Sequence, residues 1–236
     1  MAGHMAPTAE MQPNLFFWER PGLDFPLYND DSLGIWQPLL LIASSLVMLL
    51  SLSFLPDDRA IKTCALFFGT LVPYLIVARG NIGTIIKKPR LGDIPLVIVM
   101  LVLTIAYSIG MALLLVKLGI EMQPNAVTSE TRDGMLFFVM LFQLFAEEMI
   151  KLNLFLGALI LMFRWTGNRK KSIVVAIVIA LFIFGIAHLR AYNGALVQIL
   201  LIQGVGSIFD LFLYLRTKNI LTSYAMHVIQ DFMFLV

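Results

Sequence analysis

The sequence predicts an all-α, polytopic membrane protein, with about seven transmembrane helices around a membrane-embedded polar cavity. Three observations carry that prediction. Of 236 residues, 59% are hydrophobic and 14% charged, and mean hydropathy is +0.88; soluble domains run about 45–50% apolar and about 25% charged. The apolar residues fall into seven runs close to the roughly 20 residues that cross a bilayer core. The charged residues gather between the runs, apart from a small set inside them. Such runs must be helical, because lipid offers their backbone no hydrogen-bond partner.

Residues 1–7 (MAGHMAP) resemble a cloning scar and are set aside, with His4. Residues 8–32 are polar, acidic and aromatic, without the pattern of a signal peptide, and read as an N-terminal interfacial segment. Runs 33–55, 60–79 and 94–119 make three N-terminal transmembrane helices spanning 33–119. Pro, Gly and charge in LPDDR (55–59) and RGNIGTIIKKPRLGD (79–93) separate them. The connector EMQPNAVTSETRD (121–133) leads to a second group at 134–236, with runs 134–163, 172–189, 193–215 and 219–236. TGNRKK (166–171) and RTKN (216–219) punctuate it. The chain stops at Val236 without a polar tail, which leaves room for an eighth helix.

Every second connector is basic. Arg79, Lys87, Lys88 and Arg90, then Arg164, Arg169, Lys170 and Lys171, then Arg216 and Lys218 alternate with poorer connectors. The positive-inside rule then puts the N-terminus in the cytoplasm. Cys64 is the single cysteine, so a disulfide framework and a cysteine–metal cluster are excluded. A formal charge of +2 is too small to imply a nucleic-acid partner.

Ionisable groups inside a bilayer are costly and usually functional. Here they are Glu147, Glu148 and Lys151 in the fourth run, His188 ending the fifth, Asp210 late in the sixth, and His227 and Asp231 in the seventh. Lys151 lies one helical turn from either glutamate, and Asp231 one turn from His227. A carboxylate so placed can fix an imidazole's tautomer. Glu147 sits about thirteen residues into its run, roughly 20 Å deep. Each group also has a plain reading: Glu147–Lys151 as a structural ion pair, His188 as an interhelical hydrogen-bond donor, Asp210 as a helix-end residue near Arg216. The joint pattern of an acid pair, a histidine, and a histidine with an acid on three helices favours one shared cavity.

This order resembles the CAAX-protease and bacteriocin-processing family of glutamate intramembrane endopeptidases. That family carries E-E-x-x-x-R, F-x-x-x-H and H-x-x-x-N/D on successive helices. Glu147–Glu148, Phe184–His188 (FGIAH) and His227–Asp231 (HVIQD) match, over roughly residues 134–236. The arginine position is Leu152, and the base is Lys151; E-E-x-x-K is similar to the PrsW-type branch. The resemblance makes 134–236 a catalytic core that hydrolyses peptide bonds with water. It implies Glu147 as general base and His188 holding the water. His227 would donate to the oxyanion, Asp231 would orient His227 or act protonated, and Glu148 and Lys151 would support them. It implies no cofactor.

Three rivals stand beside it. Glu147, His188 and His227 could bind a catalytic zinc, although no H-E-x-x-H is present. The same groups could relay protons or ions in a transporter, yet no repeated halves are found. A non-catalytic immunity or peptide-binding protein is the third. The partners expected are the lipid bilayer and a membrane-associated peptide or protein. Candidate substrates are a prenylated tail, a pheromone or bacteriocin leader, and the membrane-near segment of another protein.

Overall fold

Caps and breakers decide where the helices begin. In a computed structural model, which describes residues 15–124 and 134–235, seven principal helices follow one another, and no strand occurs among the described residues. The scar-like residues 1–7 with His4, residues 8–14, positions 125–133 and Val236 lie outside them. Helix α1 (Trp36–Ser51) is shorter than the run 33–55, because the chain turns at Leu52–Ser53 ahead of Pro56. Asp58 caps α2 (Arg59–Val77) by accepting from the Ile61 amide, and Asn168 caps α5 (Arg169–Ala187) through the Lys171 amide. Between them lie α3 (Ile94–Lys117), with proline in its first turn, and α4 (Gly134–Thr166). Helix α7 (Ile220–Leu235) ends the described chain.

The sixth element, α6 (Leu196–Thr217), is irregular. A π segment at Ile199–Gly204 and a 3₁₀ turn at Val205–Ser207 precede the regular helix Ile208–Thr217. The displaced Leu201 carbonyl accepts from the Tyr107 hydroxyl at 2.9 Å, and that of Gln203 from Ser207 at 2.7 Å. In lipid such groups need a protein partner. Glycine allows α5 and α6 to touch there. A Cβ on Gly204 would lie 3.0 Å from the Leu181 carbonyl oxygen, and one on Gly185 3.0 Å from Gly204 Cα. Both obstacles are backbone, which cannot swing aside.

Helices α2, Leu91–Lys117, α5 and α6 are each long and apolar enough to cross a membrane. On α3 the apolar side chains point outward, among them Ile98, Val99, Val102, Ile109 and Leu113. A largely apolar helix of 24 residues with most of its side chains turned outward is a lipid-facing one. The fold is therefore that of a polytopic helical membrane protein. Helix α4 is its axis, packing on α1, α2, α5 and α7. Its central stretch, Ala146 to Ile160, is almost fully buried.

The segment before α1 closes one end of the bundle, against the basic connectors. Glu19 is fully enclosed. Its carboxylate accepts from Arg169 at 2.7 Å, from Lys218 at 2.9 Å and from the Phe16 amide at 3.0 Å. Arg20 pairs with Asp93, and Arg216 donates to the Trp18 carbonyl. Burial pushes the Glu19 carboxyl up, but Arg169, the Phe16 amide and Lys218 outweigh it and bring it from 4.5 down to about 2. A depressed carboxyl stabilises the fold fully above its unfolded value and loses that contribution as pH falls through the folded one. Glu19→Gln should thus lower Tm at pH 7, by the equivalent of about 3–5 kcal/mol for a broken buried pair. It should also flatten the loss of Tm between pH 4.5 and about 2. Thermal unfolding of detergent-solubilised protein checks this; parallel curves for wild type and variant would remove Glu19 from the acid response.

Candidate active site

Helix α4 turns its acid pair toward two different surroundings. Glu148 points inward and is 3% exposed. Its Oε1 lies 2.6 Å from Lys151 Nζ and 2.7 Å from His227 Nδ1. Lys151, 1% exposed, also pairs with Asp210 of α6, and its ammonium lies 4.6 Å from the centre of the Phe184 ring. One buried network therefore ties α4 to α6 and α7. An unpaired ammonium or carboxylate at this depth would be strongly unfavourable, and here each has a partner of opposite charge.

Glu147 turns instead toward a cavity of about 1050 Å³. His188, Asp210, His227 and Asp231 line the same cavity, with Gln143, Tyr192 and Gln203. Gln143, one turn earlier on α4, donates to Glu147 Oε1 at 3.0 Å. His227 Nε2 lies 4.0 Å from Glu147 Oε2 and 3.8 Å from Asp231 Oδ1. The walls come from every helix from α1 to α7. The rim lies at Ser53–Lys62, Met122 and Arg190–Tyr192, the end of the bundle opposite the N-terminal segment.

The hydrogen bonds assign ring nitrogens. His227 Nδ1 faces a carboxylate that is also paired with an ammonium, so Nδ1–H donates and Nε2 is left facing the cavity. His188 ends α5, and its Nδ1 lies 2.8 Å from the Phe184 carbonyl oxygen. A carbonyl only accepts, so this nitrogen also carries hydrogen and Nε2 is the free lone pair. The phenylalanine of F-x-x-x-H thus contributes twice: its carbonyl fixes the tautomer, and its ring packs edge-on to the imidazole at 4.7 Å.

The sequence-selected residues converge. Glu147, His188, His227 and Asp231 share the cavity, with Glu148 and Lys151 behind its wall. The orientation of His227 falls to Glu148 across the helix interface, at 2.7 Å, while Asp231 stands off at 3.8 Å. Asp210 has a larger part than a helix-end residue, because it is the second carboxylate on Lys151. Gln143 carried a readable signal, its spacing of four from Glu147, but an intramembrane glutamine is not conspicuous.

A metal was the chemical rival. Among the described residues, the donors that converge within 4.8 Å are Glu148, Asp210 and His227. That is not the set Glu147, His188 and His227. The Lys151 ammonium bonds both carboxylates of the converging set, so their attraction for a cation is already met. These residues do not fit an ion without displacing a buried lysine.

A family comparison shows what part of this chain is similar to. Residues 133–233 match the model for type II CAAX prenyl endopeptidase Rce1-like proteins. Over that segment the chain is similar to the Rce1-like family. No curated protein and no solved structure matches the chain. The Rce1-like match runs along α4 to α7, the helices that bear Glu147, Glu148, Lys151, His188, Asp210, His227 and Asp231. It supports a protease set in a membrane. Helices α1 to α3 lie outside the Rce1-like segment but complete the cavity wall.

Proposed function

We propose that the cavity hydrolyses a peptide bond by water activated on Glu147. The observation that carries this reading is the division of labour between adjacent acids. Glu148 is committed to Lys151 and His227, whereas Glu147 faces the cavity with no lysine or arginine paired to it among the described residues. A carboxylate held by one amide hydrogen bond beside a cavity is a usable general base.

The steps follow from the atoms. Water binds between Glu147 and His188, donating one O–H to the carboxylate and the other to the His188 Nε2 lone pair. Glu147 takes a proton as the water oxygen attacks the carbonyl carbon. The resulting oxyanion accepts from His227 Nε2–H, which requires the second ring proton; Glu148 balances the imidazolium at Nδ1. Collapse breaks the C–N bond, and Glu147 returns the proton to the leaving amine. Asp231, near Nε2 and partly exposed, helps hold that second proton.

The substrate in this reading is a membrane-associated peptide or protein, prenylated as the family's name implies. No cofactor enters. The test is proteolysis of lipid-modified peptides by purified protein in oxygen-18 water. One heavy oxygen in the newly formed carboxyl is expected; absence of fragments from every peptide offered would defeat the proposal.

All seven principal helices cross the bilayer in this proposal. The connectors at 79–93, 164–171 and 216–218 then lie in the cytoplasm with the N-terminus, and the rim faces the other side. Asn193→Cys in a Cys64→Ser background should react with an impermeant thiol reagent on intact cells. Labelling only after permeabilisation would invert the topology.

A further inference from the structure

The end of the bundle that the N-terminal segment closes holds a second, smaller cavity, of about 290 Å³. It shares no lining residue with the candidate active site. Arg20, Lys87, Lys88 and Arg90 line it, against one acid, Asp93. That acid is already paired with Arg20. Glu19 and Asp24 of the same segment are held by Arg169, and Glu19 by Lys218 as well. Among the described residues no carboxylate pairs with Lys87, Lys88 or Arg90. Lys87 is half-buried, and its burial and the charge of Arg90 pull its pKa below the ordinary lysine value. The backbone that carries these cations is clamped. Asn219, buried in the turn between α6 and α7, accepts from the Lys87 amide at 3.1 Å and donates to the Lys87 carbonyl at 3.0 Å. The Ile220 amide donates to the Ile85 carbonyl at 2.9 Å. Pro89 fixes its own backbone and restricts that of Lys88.

Like charges gathered on a fixed backbone repel one another, and an anion between them reverses that cost. Lysine and arginine together suit a phosphate, which offers several oxygens to separate donors. The place of the cavity selects the source of that phosphate. It adjoins the start of α3, the lipid-facing helix, and Leu91 and Ile94 follow Arg90 closely with 84% and 51% exposure. Cations directly followed by outward apolar side chains mark the level where headgroups meet acyl chains. We propose that this cavity binds the phosphate of an anionic phospholipid through Lys87, Lys88 and Arg90, with the acyl chains lying along the outer face of α3. In the topology proposed above it faces the cytoplasmic leaflet, the one that carries anionic lipid. The site is independent of the peptidase reading. Asn219 ties it to the turn that leads into α7, so a bound lipid steadies the connector against that turn.

The experiment titrates the full chain, delipidated in zwitterionic detergent, with phosphatidylglycerol or phosphatidylcholine and counts bound lipid by native mass spectrometry. Wild type should bind phosphatidylglycerol with a Kd about 10-fold or more lower, the scale of one charge-assisted hydrogen bond. Lys88→Gln with Arg90→Gln, both at exposed positions, should bring the two lipids to similar affinity. Lys87→Gln should remove part of the preference. Lys170→Gln with Lys171→Gln takes the same charge from another basic connector and should leave the preference in place. Equal binding of the two lipids by wild type overturns the proposal. Equal loss from the two double variants does so too, because it would mean diffuse attraction to any basic surface. A competition arm adds glycerol phosphate, the soluble part of the headgroup, in equal concentration. Retention of phosphatidylglycerol supports the lipid; its displacement assigns the cavity to a soluble phosphate and overturns the lipid. If the Lys88 and Arg90 double variant does not fold, the single variants replace it, and each should lose part of the preference; a preference untouched by either overturns the site.

Discussion

Glu147→Gln should abolish peptide cleavage while leaving the helical bundle intact. The amide keeps the size of the side chain, but it cannot take a proton from water. Loss of a general base removes about 10²–10⁴-fold in rate, and more when the base also positions the water. Glu147 lies outside the buried Lys151 network, so Tm should change little. His188→Ala and His227→Ala should each be severe as well. Either one added to Glu147→Gln should cost little more, because residues acting on one water and one oxyanion are not additive. Kinetics of single and double variants on one peptide check this. Multiplying losses would mean that the three residues act separately.

Lys151→Met should be the most destabilising single change among the polar residues of the core. It leaves the carboxylates of Glu148 and Asp210 facing each other without their shared cation. Removing one partner of a buried ion pair costs about 3–5 kcal/mol, much of it from the stranded charge. Adding Asp210→Asn should recover part of the loss, since one stranded charge disappears. Activity should fall with stability, because Glu148 would no longer be fixed for its bond to His227 Nδ1. Thermal unfolding in detergent measures the effect. An unchanged Tm for Lys151→Met would show that the network holds nothing together.

Helix type and number were legible because membrane helices are long, apolar and separated by charge. The candidate site was legible for the complementary reason: a charge inside an apolar run is rare enough to notice. Glu147, Glu148, Lys151, His188, His227 and Asp231 were found that way. What escaped depends on contacts between helices. Asp210 was assigned by its sequence neighbour Arg216, yet its partner lies 59 residues away. The π segment at Ile199–Gly204 shifts the helix face ahead of it, so α-helical spacing cannot say which way Asp210 points. The spacing of His227 and Asp231 suggested a pair within one helix, and the shorter contact runs to Glu148 on another. Arg59 ends the connector LPDDR and was not singled out; its bond to Gln143 depends on how α2 packs on α4. The acidic N-terminal segment read as interfacial, and composition alone gave no sign that Glu19 would be enclosed between Arg169 and Lys218.

Side-by-side proteolysis by wild-type and Glu147→Gln protein, each with and without a zinc chelator, tests the central claim most directly. Fragments of a lipid-modified membrane peptide are followed by mass spectrometry. Wild type should cut the peptide equally well in both conditions, and Glu147→Gln should cut in neither. Cleavage that survives Glu147→Gln, or that the chelator removes from wild type, would contradict water activation by Glu147.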